Sequence, residues 1–193
     1  MAAGKTRGMS GVFVAIVGPS GAGKDSLIAY AKTRLGDQIA VVRRVVTRPA
    51  DGGSEDHDCM SPEEFHTAAA NQRFALSWQA HGLHYGLPAA LEDDLAAGRV
   101  VVANLSRAVI PRLLSRYPQA LVVEVNARPA VIAARLAGRG RENETEIRRR
   151  MERAPNFLLP PGAIRIDNSG ALADAGEAFV AHLEQLLGFA AQP

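Results

Sequence analysis

The sequence predicts an α/β fold in which a central parallel sheet is covered by helices on both faces. Short apolar runs rich in β-branched residues alternate with longer amphipathic segments along most of the chain. A glycine-rich turn and a lysine separate the first apolar run from the first helical segment. The 193 residues suit a single domain with a substantial core. These observations together predict three layers: helices, sheet and helices.

Each predicted strand is too short for a core helix, and each predicted helix carries apolar residues at three- and four-residue spacing. Pro129 falls in the first turn of its helix, where a missing N–H costs no hydrogen bond. The strands are predicted at 12–17, 40–46, 100–104, 120–125 and 163–167. The helices are predicted at 23–35, 88–97, 107–116, 129–137, 145–155 and 171–187.

The glycine-rich turn has the sequence and the context of a phosphate-binding loop (P-loop), because a strand precedes it and a helix follows it. Its residues are Gly18, Pro19, Ser20, Gly21, Ala22, Gly23, Lys24, Asp25 and Ser26. Glycines allow backbone angles that other residues disfavour, and they let phosphate oxygens approach closely. The N–H groups of such a loop and the positive end of the helix converge on one anion. The loop is therefore predicted to bind ATP, with Lys24 bridging the β- and γ-phosphates.

Asp25 stands where P-loops usually carry the Ser or Thr that ligates Mg²⁺. A carboxylate oxygen is also a hard ligand, so Asp25 is predicted to hold Mg²⁺ directly or through water. Ser26 would then contact the α-phosphate. The alternative is a glycine-rich turn with a chance lysine, and the strand and helix on either side argue against it.

The composition excludes several classes of protein. A net charge of +2 does not indicate nucleic-acid binding, and no apolar segment has the length of a membrane span. Residues 1–10 lack the apolar stretch of a secretory signal and are predicted to form a flexible leader before a single domain at 11–193. Cys59 is the single cysteine, so no internal disulfide forms, and a cytoplasmic location is predicted.

Two segments interrupt the alternation of strands and helices. Region 47–87 is polar and turn-rich and carries four of the five histidines, which predicts an acceptor-binding insertion at the carboxyl side of the sheet. Segment 138–146 has glycines between cations, as a mobile lid over ATP requires. The arginines between 135 and 153 are interleaved with glutamates. Two interpretations of these arginines stay open: a solvated helix face and a clamp that binds phosphate.

The order of loop, insertion and arginine-bearing lid resembles the nucleoside monophosphate kinases, and guanylate kinases in particular. The resemblance rests on Thr47-Arg48-Pro49, Ser61-Pro62-Glu63-Glu64-Phe65, Tyr85-Gly86 and Gly138-Arg139-Gly140. It implies a P-loop NTPase fold of three layers with an acceptor-binding insertion and a lid.

The acceptor region departs from the guanylate kinase pattern. Leu76 and Leu87 stand where that family places the carboxylate and the hydroxyl that bind guanine. Asp51 replaces its second phosphate-binding arginine, and His57 replaces its first phosphate-binding tyrosine. Without polar groups at the two leucine positions the discrimination of a base is lost, so the site is predicted to take an acceptor other than GMP.

A closer resemblance is to the ribose 1,5-bisphosphate phosphokinases of phosphonate catabolism, which make 5-phosphoribosyl 1-diphosphate (PRPP). It is carried by Gly23-Lys24-Asp25-Ser26, Gly53-Ser54-Glu55-Asp56-His57, Ala75-Leu76-Ser77-Trp78, Gly82-Leu83-His84-Tyr85-Gly86, Asn104-Leu105-Ser106-Arg107 and Arg139-Gly140-Arg141-Glu142-Asn143. The resemblance implies ATP and Mg²⁺ as cofactors, a sugar phosphate as acceptor, and no nucleic-acid or membrane partner. Related kinases occur as monomers or dimers, so a homodimer stays open.

The resemblance also implies roles for individual residues. The catalytic residues would be Lys24, Arg48, Arg139 and Arg150, of which Arg139 and Arg150 contact the ATP phosphates from the lid. The acceptor would be bound by Arg48, His57, Tyr85, Asn104, Ser106 and Arg107. Trp78 is predicted to pack beneath the acceptor, and Glu124 to be a paired structural charge. Two other functions stay open: a guanylate kinase, and a non-catalytic binding module of the same fold.

Overall fold

The computed structural model describes residues 11–48, 57–80, 82–138 and 158–190. The predicted leader at 1–10, the predicted helix at 145–155, and Arg139 and Arg150 lie outside these residues. Of the predicted lid at 138–146, the described part includes Gly138 alone.

The described residues form the predicted elements of the main sheet and, between residues 57 and 88, strands and a helix that were not predicted. The strands are β1 (Val12–Val17), β2 (Ile39–Val41), β3 (Arg44–Val46), β4 (His57–Cys59), β5 (Phe74–Ala80), β6 (Leu83–Pro88), β7 (Val100–Asn104), β8 (Leu121–Asn126) and β9 (Ile164–Asp167). The helices are α1 (Lys24–Leu35), α2 (Pro62–Ala70), α3 (Leu91–Ala96), α4 (Ile110–Arg116), α5 (Pro129–Ala137) and α6 (Leu172–Ala190). Short 3₁₀ turns precede β2 and α4.

The main sheet is parallel and has the strand order β2-β7-β1-β8-β9. Its middle strand, β1, is buried from Phe13 onward because helices cover both faces. Leu27 of α1 and Phe179 of α6 pack with β1 on one face. Leu95 of α3 and Leu113 of α4 pack with it on the other. The predicted three-layer α/β architecture is therefore present.

A second sheet is formed by the residues between β2 and α3, in the order β4-β3-β6-β5. The β3–β4 pair is parallel, and the other two pairs are antiparallel. Leu76 of β5 and Leu87 of β6 lie in register, and both are buried in the same cluster as Phe13 and Val17 of β1. The second sheet therefore packs against the face of the main sheet that α3 and α4 cover.

The predicted strand at 40–46 is wrong, because it forms two strands of different sheets. The N–H of Val42 still donates to Val102 O of β7 at 2.9 Å, and the chain then leaves the main sheet. Arg44 begins β3 and lies in register with His57 of β4. The apolar run is continuous across the change of sheet because both halves are buried, so the sequence does not reveal it.

The predicted helix at 88–97 is shorter in the structure, because Pro88 is still the last residue of β6 and α3 begins at Leu91. The segment 107–116 begins as a 3₁₀ turn and becomes α-helical at Ile110. Within the described residues, no helix combines the length and the apolarity needed to cross a membrane.

Candidate active site

The loop between β1 and α1 has the backbone geometry of a P-loop. Gly18, Gly21 and Gly23 have φ values of 149°, 82° and 90°, a region that glycine adopts without strain. A Cβ at Gly18 would lie 2.0 Å from Val125 O, so the loop could not pass β8 with a larger residue. Helix α1 begins at Lys24, so the N–H groups of its first turn and its positive end adjoin the loop. This arrangement suits a polyphosphate.

Lys24 extends back along the loop. Its Nζ donates to Gly18 O and to Pro19 O, both at 3.0 Å. The ammonium group is thus placed at the beginning of the loop, beside the N–H groups that a phosphate would contact. This position suits the neutralisation of phosphate charge, and that role of Lys24 stays a prediction.

Asp25 and Asn104, which the sequence places 79 residues apart, are hydrogen-bonded. Asn104 ends β7 beside Ile16 of β1, and its Nδ2 donates to Asp25 Oδ1 at 2.7 Å. The amide oxygen of Asn104 is buried and has no hydrogen-bond partner within the described part of the chain. A carboxylate beside an unsatisfied amide oxygen is a pair of hard donors of the kind that Mg²⁺ prefers, so these residues fit the ion.

Two side chains hold the outer side of the loop through the carbonyl of Ala22. Asn168 follows β9 and is 1% exposed; its Nδ2 donates to Ala22 O at 2.8 Å. Arg135 of α5 donates to the same oxygen at 3.4 Å. In a trans peptide the C=O and the next N–H point in opposite directions, so the N–H of Gly23 faces away from Asn168, toward the inside of the loop.

Neither contact to Ala22 follows from the sequence analysis. Asn168 is a polar residue directly after β9, at the carboxyl edge of the sheet where Asn104 also lies. The same signal that selected Asn104 was therefore present for Asn168. Its partner in the loop is a purely tertiary contact and has no sequence signature.

Two of the predicted acceptor residues, Tyr85 and Arg48, lie in or directly beside the second sheet. Tyr85 of β6 stacks on Trp78 of β5, with ring centroids 5.4 Å apart and planes inclined by 9°. Thr47 bonds β6 twice: its N–H donates to His84 O at 3.0 Å, and its hydroxyl accepts from His84 N at 2.9 Å. These bonds fix the chain immediately before Arg48, which is half-buried.

Arg107 and Ser106 follow β7 at the carboxyl edge of the main sheet. The Nη2 of Arg107 donates to Glu124 Oε1 of β8 at 3.0 Å, and both side chains are largely buried. Arg165 of β9 approaches the other carboxylate oxygen at 3.5 Å. Glu124 is thus the paired structural charge that the sequence predicts, and it fixes one side of the Arg107 guanidinium.

Comparison with solved structures gives the fold. The guanylate kinase from Anaplasma phagocytophilum matches with a TM-score of 0.67 at 16% identity, covering 91% of this chain and 85% of that chain. A gluconokinase from Sinorhizobium meliloti 1021 matches with a TM-score of 0.54 at 18% identity, covering 93% and 95%. At these identities the likeness shows the fold alone, and it confirms the predicted fold class. No protein-family model matches the chain.

Curated relatives are much more similar in sequence. The ribose 1,5-bisphosphate phosphokinase PhnN of Chelativorans sp. (strain BNC1) is 49% identical over 179 residues, which cover 91% of this chain and 86% of the relative. The protein of the same name from Brucella melitensis biotype 2 (strain ATCC 23457) is 47% identical, covering 91% and 93%. The P-loop fold, together with these relatives, defines a P-loop kinase. More particularly, the chain belongs to the ribose 1,5-bisphosphate phosphokinase family, as the resemblance predicted.

Proposed function

We propose that this protein transfers the γ-phosphoryl group of ATP to the 1-phosphate of ribose 1,5-bisphosphate, giving PRPP and ADP. Its curated relatives are named for this activity. Within the chain, the observation that carries the proposal is the Leu76–Leu87 pair. These leucines are 4% and 0% exposed. By the resemblance to guanylate kinases, they stand where that family places the groups that bind guanine. A site without them suits an acceptor that has no base.

The chemistry of the acceptor explains why a general base is not required. The second pKa of a phosphate monoester is about 6, so the attacking oxygen is already largely anionic at neutral pH. That oxygen forms a bond to the γ-phosphorus while the bond between this phosphorus and the β–γ bridging oxygen breaks. ADP leaves with the electron pair, and no proton moves. The remaining obstacle is repulsion between two anions, which cations must offset.

We assign this compensation to Lys24 on the ATP side and to Arg48 and Arg107 on the acceptor side. Arg139 and Arg150 keep their predicted roles at the ATP phosphates, although they lie outside the described residues. The remaining acceptor assignments are His57, Tyr85, Asn104 and Ser106, and the acceptor region is 47–87 of a single domain.

We assign Mg²⁺ to Asp25 together with Asn104. When bound, the ion neutralises phosphate charge and aligns the β- and γ-phosphates. Asn104 has two functions in this assignment. Its Nδ2 orients the carboxylate of Asp25, and its unsatisfied Oδ1 would be a second oxygen donor for the ion.

The test is to incubate the purified protein with Mg-ATP and either ribose 1,5-bisphosphate or GMP, and to follow the products by phosphorus NMR. We expect a diphosphate signal at the ribose 1-position, with GMP largely unchanged. Formation of GDP instead would show that the buried leucines do not exclude the base. No product from either acceptor would favour a binding module.

A further inference from the structure

One face of the second sheet carries an arginine that the sequence analysis did not select. Arg44 of β3 lies in register with His57 of β4, and Val46 of β3 lies in register with Tyr85 of β6. Tyr85 is in turn in register with Trp78 of β5. Registered residues share a face of a sheet, and so do alternate residues of one strand. Arg44, His57, Tyr85 and Trp78 therefore occupy one face, which we term the acceptor face.

Aromatic contacts hold Arg44 on this face. Its guanidinium carbon lies 6.0 Å from the ring centroid of Tyr85, a cation–π distance. Tyr85 is stacked on Trp78, so the three side chains form a row across β3, β6 and β5. Stacking uses the flat surface of a guanidinium, whereas its N–H donors lie in the plane and match two oxygens of a phosphate. The position of the Arg44 guanidinium over the Tyr85 ring therefore helps to orient it for a phosphate.

We propose that Arg44 binds a phosphate of the acceptor and that it is a specificity-determining residue for a bisphosphate. The inference rests on the proposed function, since an acceptor with two phosphates requires more positive charge than a nucleoside monophosphate does. Arg48 lies just beyond the end of the same strand, so the two arginines supply a cation for each phosphate. Tyr85 has a further role in this proposal, because its ring, stacked on Trp78, positions the guanidinium of Arg44.

The adjacent residue is a matched control. Arg43 precedes β3 and lies on the opposite face, where its Nη2 is 3.0 Å from Asp58 Oδ1. Both side chains of that pair are about half exposed, at 52% and 53%. Arg43 therefore has the same charge and nearly the same sequence position as Arg44, but it does not lie on the acceptor face.

The single tryptophan of the chain permits a direct binding test without ATP, because Trp78 lies on the acceptor face. Ribose 1,5-bisphosphate is titrated into the protein while the Trp78 fluorescence is followed. We expect Arg44→Gln to weaken binding by about tenfold or more, because a charge-assisted contact is lost. Arg44→Lys should weaken it by about threefold or more, because lysine neither stacks nor binds in a bidentate manner. Arg43→Gln should stay within about twofold of the wild type.

The outcomes distinguish a failure of the role proposed for Arg44 from a failure of the proposed function. Equal affinities of Arg44→Gln, Arg43→Gln and the wild type would overturn the role of Arg44 and leave the proposed function intact, provided that the wild type still forms PRPP. Wild-type protein that neither binds nor phosphorylates ribose 1,5-bisphosphate would overturn both. If Arg44→Gln does not fold, Arg44→Lys decides, and wild-type affinity in that variant overturns the inference. The KM for ATP should be unchanged in every folded variant.

Discussion

At the scale of single residues, the P-loop depends on side chains outside its own sequence. The nine residues from Gly18 to Ser26 supply N–H groups and a lysine, yet the orientation of the loop is held by Asn168 and Arg135 through Ala22 O. The Mg²⁺ site that we propose is likewise shared, because Asp25 of α1 is hydrogen-bonded to Asn104 of β7. Sequence motifs identify the loop, and the tertiary fold supplies these partners.

Asn168 is expected to control ATP binding specifically. In Asn168→Ala the carbonyl of Ala22 loses its shorter hydrogen bond, and we expect the KM for ATP to rise by about tenfold while the KM for the acceptor changes little. The measurement is steady-state kinetics for both substrates, supported by titration with a fluorescent ADP analogue. Asn126→Ala at the end of β8 is the control. Equal rises in both KM values would indicate a general structural role and contradict the prediction.

Replacing Asp25 is expected to weaken metal binding without weakening nucleotide binding. Asp25→Asn removes a carboxylate, so we expect Mn²⁺ binding in the presence of ADP to weaken by about tenfold. ADP binding without metal should hold steady or improve, because a negative charge beside the phosphates is lost. Paramagnetic resonance of free Mn²⁺ measures the first quantity. Asp37→Asn, on the surface beyond α1, is the control, and unchanged Mn²⁺ affinity of Asp25→Asn would exclude the assignment.

At the scale of elements, α3 and α4 are joined by a partly buried polar cluster. Glu92 of α3 accepts hydrogen bonds from Arg116, the last residue of α4, and from Tyr117 Oη at 2.9 Å. Burial raises the pKa of Tyr117 to about 12. Burial would also raise the pKa of Glu92, but the hydrogen bonds from Arg116 and Tyr117 outweigh it and hold that pKa below the ordinary value of 4.5. The cluster ties together two helices that cover the main sheet.

A lowered pKa in the folded state gives the Glu92 contact a defined pH dependence. The carboxylate stabilises the fold above pH 4.5, and this contribution is lost as the pH falls through the folded pKa. We expect Glu92→Gln to lower the free energy of unfolding at pH 7 by roughly 0.5–1 kcal/mol, since the cluster is partly exposed. The difference should shrink below pH 4.5. Urea unfolding across this pH range measures the difference in free energy of unfolding between the variant and the wild type. The exposed Glu184→Gln is the control. A difference that does not change with pH would contradict the pKa argument.

At the scale of the whole molecule, the main sheet was predictable, whereas the second sheet was not. Strands β1, β7 and β8 are short, largely apolar runs, and burial on both faces makes such runs visible in a sequence. The second sheet is half-exposed and was predicted as a polar, turn-rich insertion. The sequence of this region did contain two signals. Ser61 and Glu64 form the capping box of α2. Phe74, Leu76 and Trp78 alternate with smaller or polar residues, as in a strand.

The candidate site was predicted only in part, because local motifs are visible in a sequence whereas contacts between distant segments are not. The loop, Lys24 and Asp25 belong to one local motif, so their spacing is sufficient to find them. Arg44 was hidden because the predicted strand at 40–46 assigned it to the main sheet rather than to the acceptor face. The pairing of Arg107 with Glu124 links two separate strands, and only their side-by-side placement in the fold reveals it.

The bond between Asn168 and Ala22 has a consequence for the order of events during synthesis. The two residues are 146 positions apart, so the ribosome completes the partner of the loop long after the loop itself. At about 5–20 residues per second the interval is roughly 7–30 s. Throughout that time a nascent chain has the nucleotide-binding motif without the amide that holds it. Full affinity for ATP is therefore expected only after β9 and Asn168 have been synthesised, although the loop itself is made much earlier.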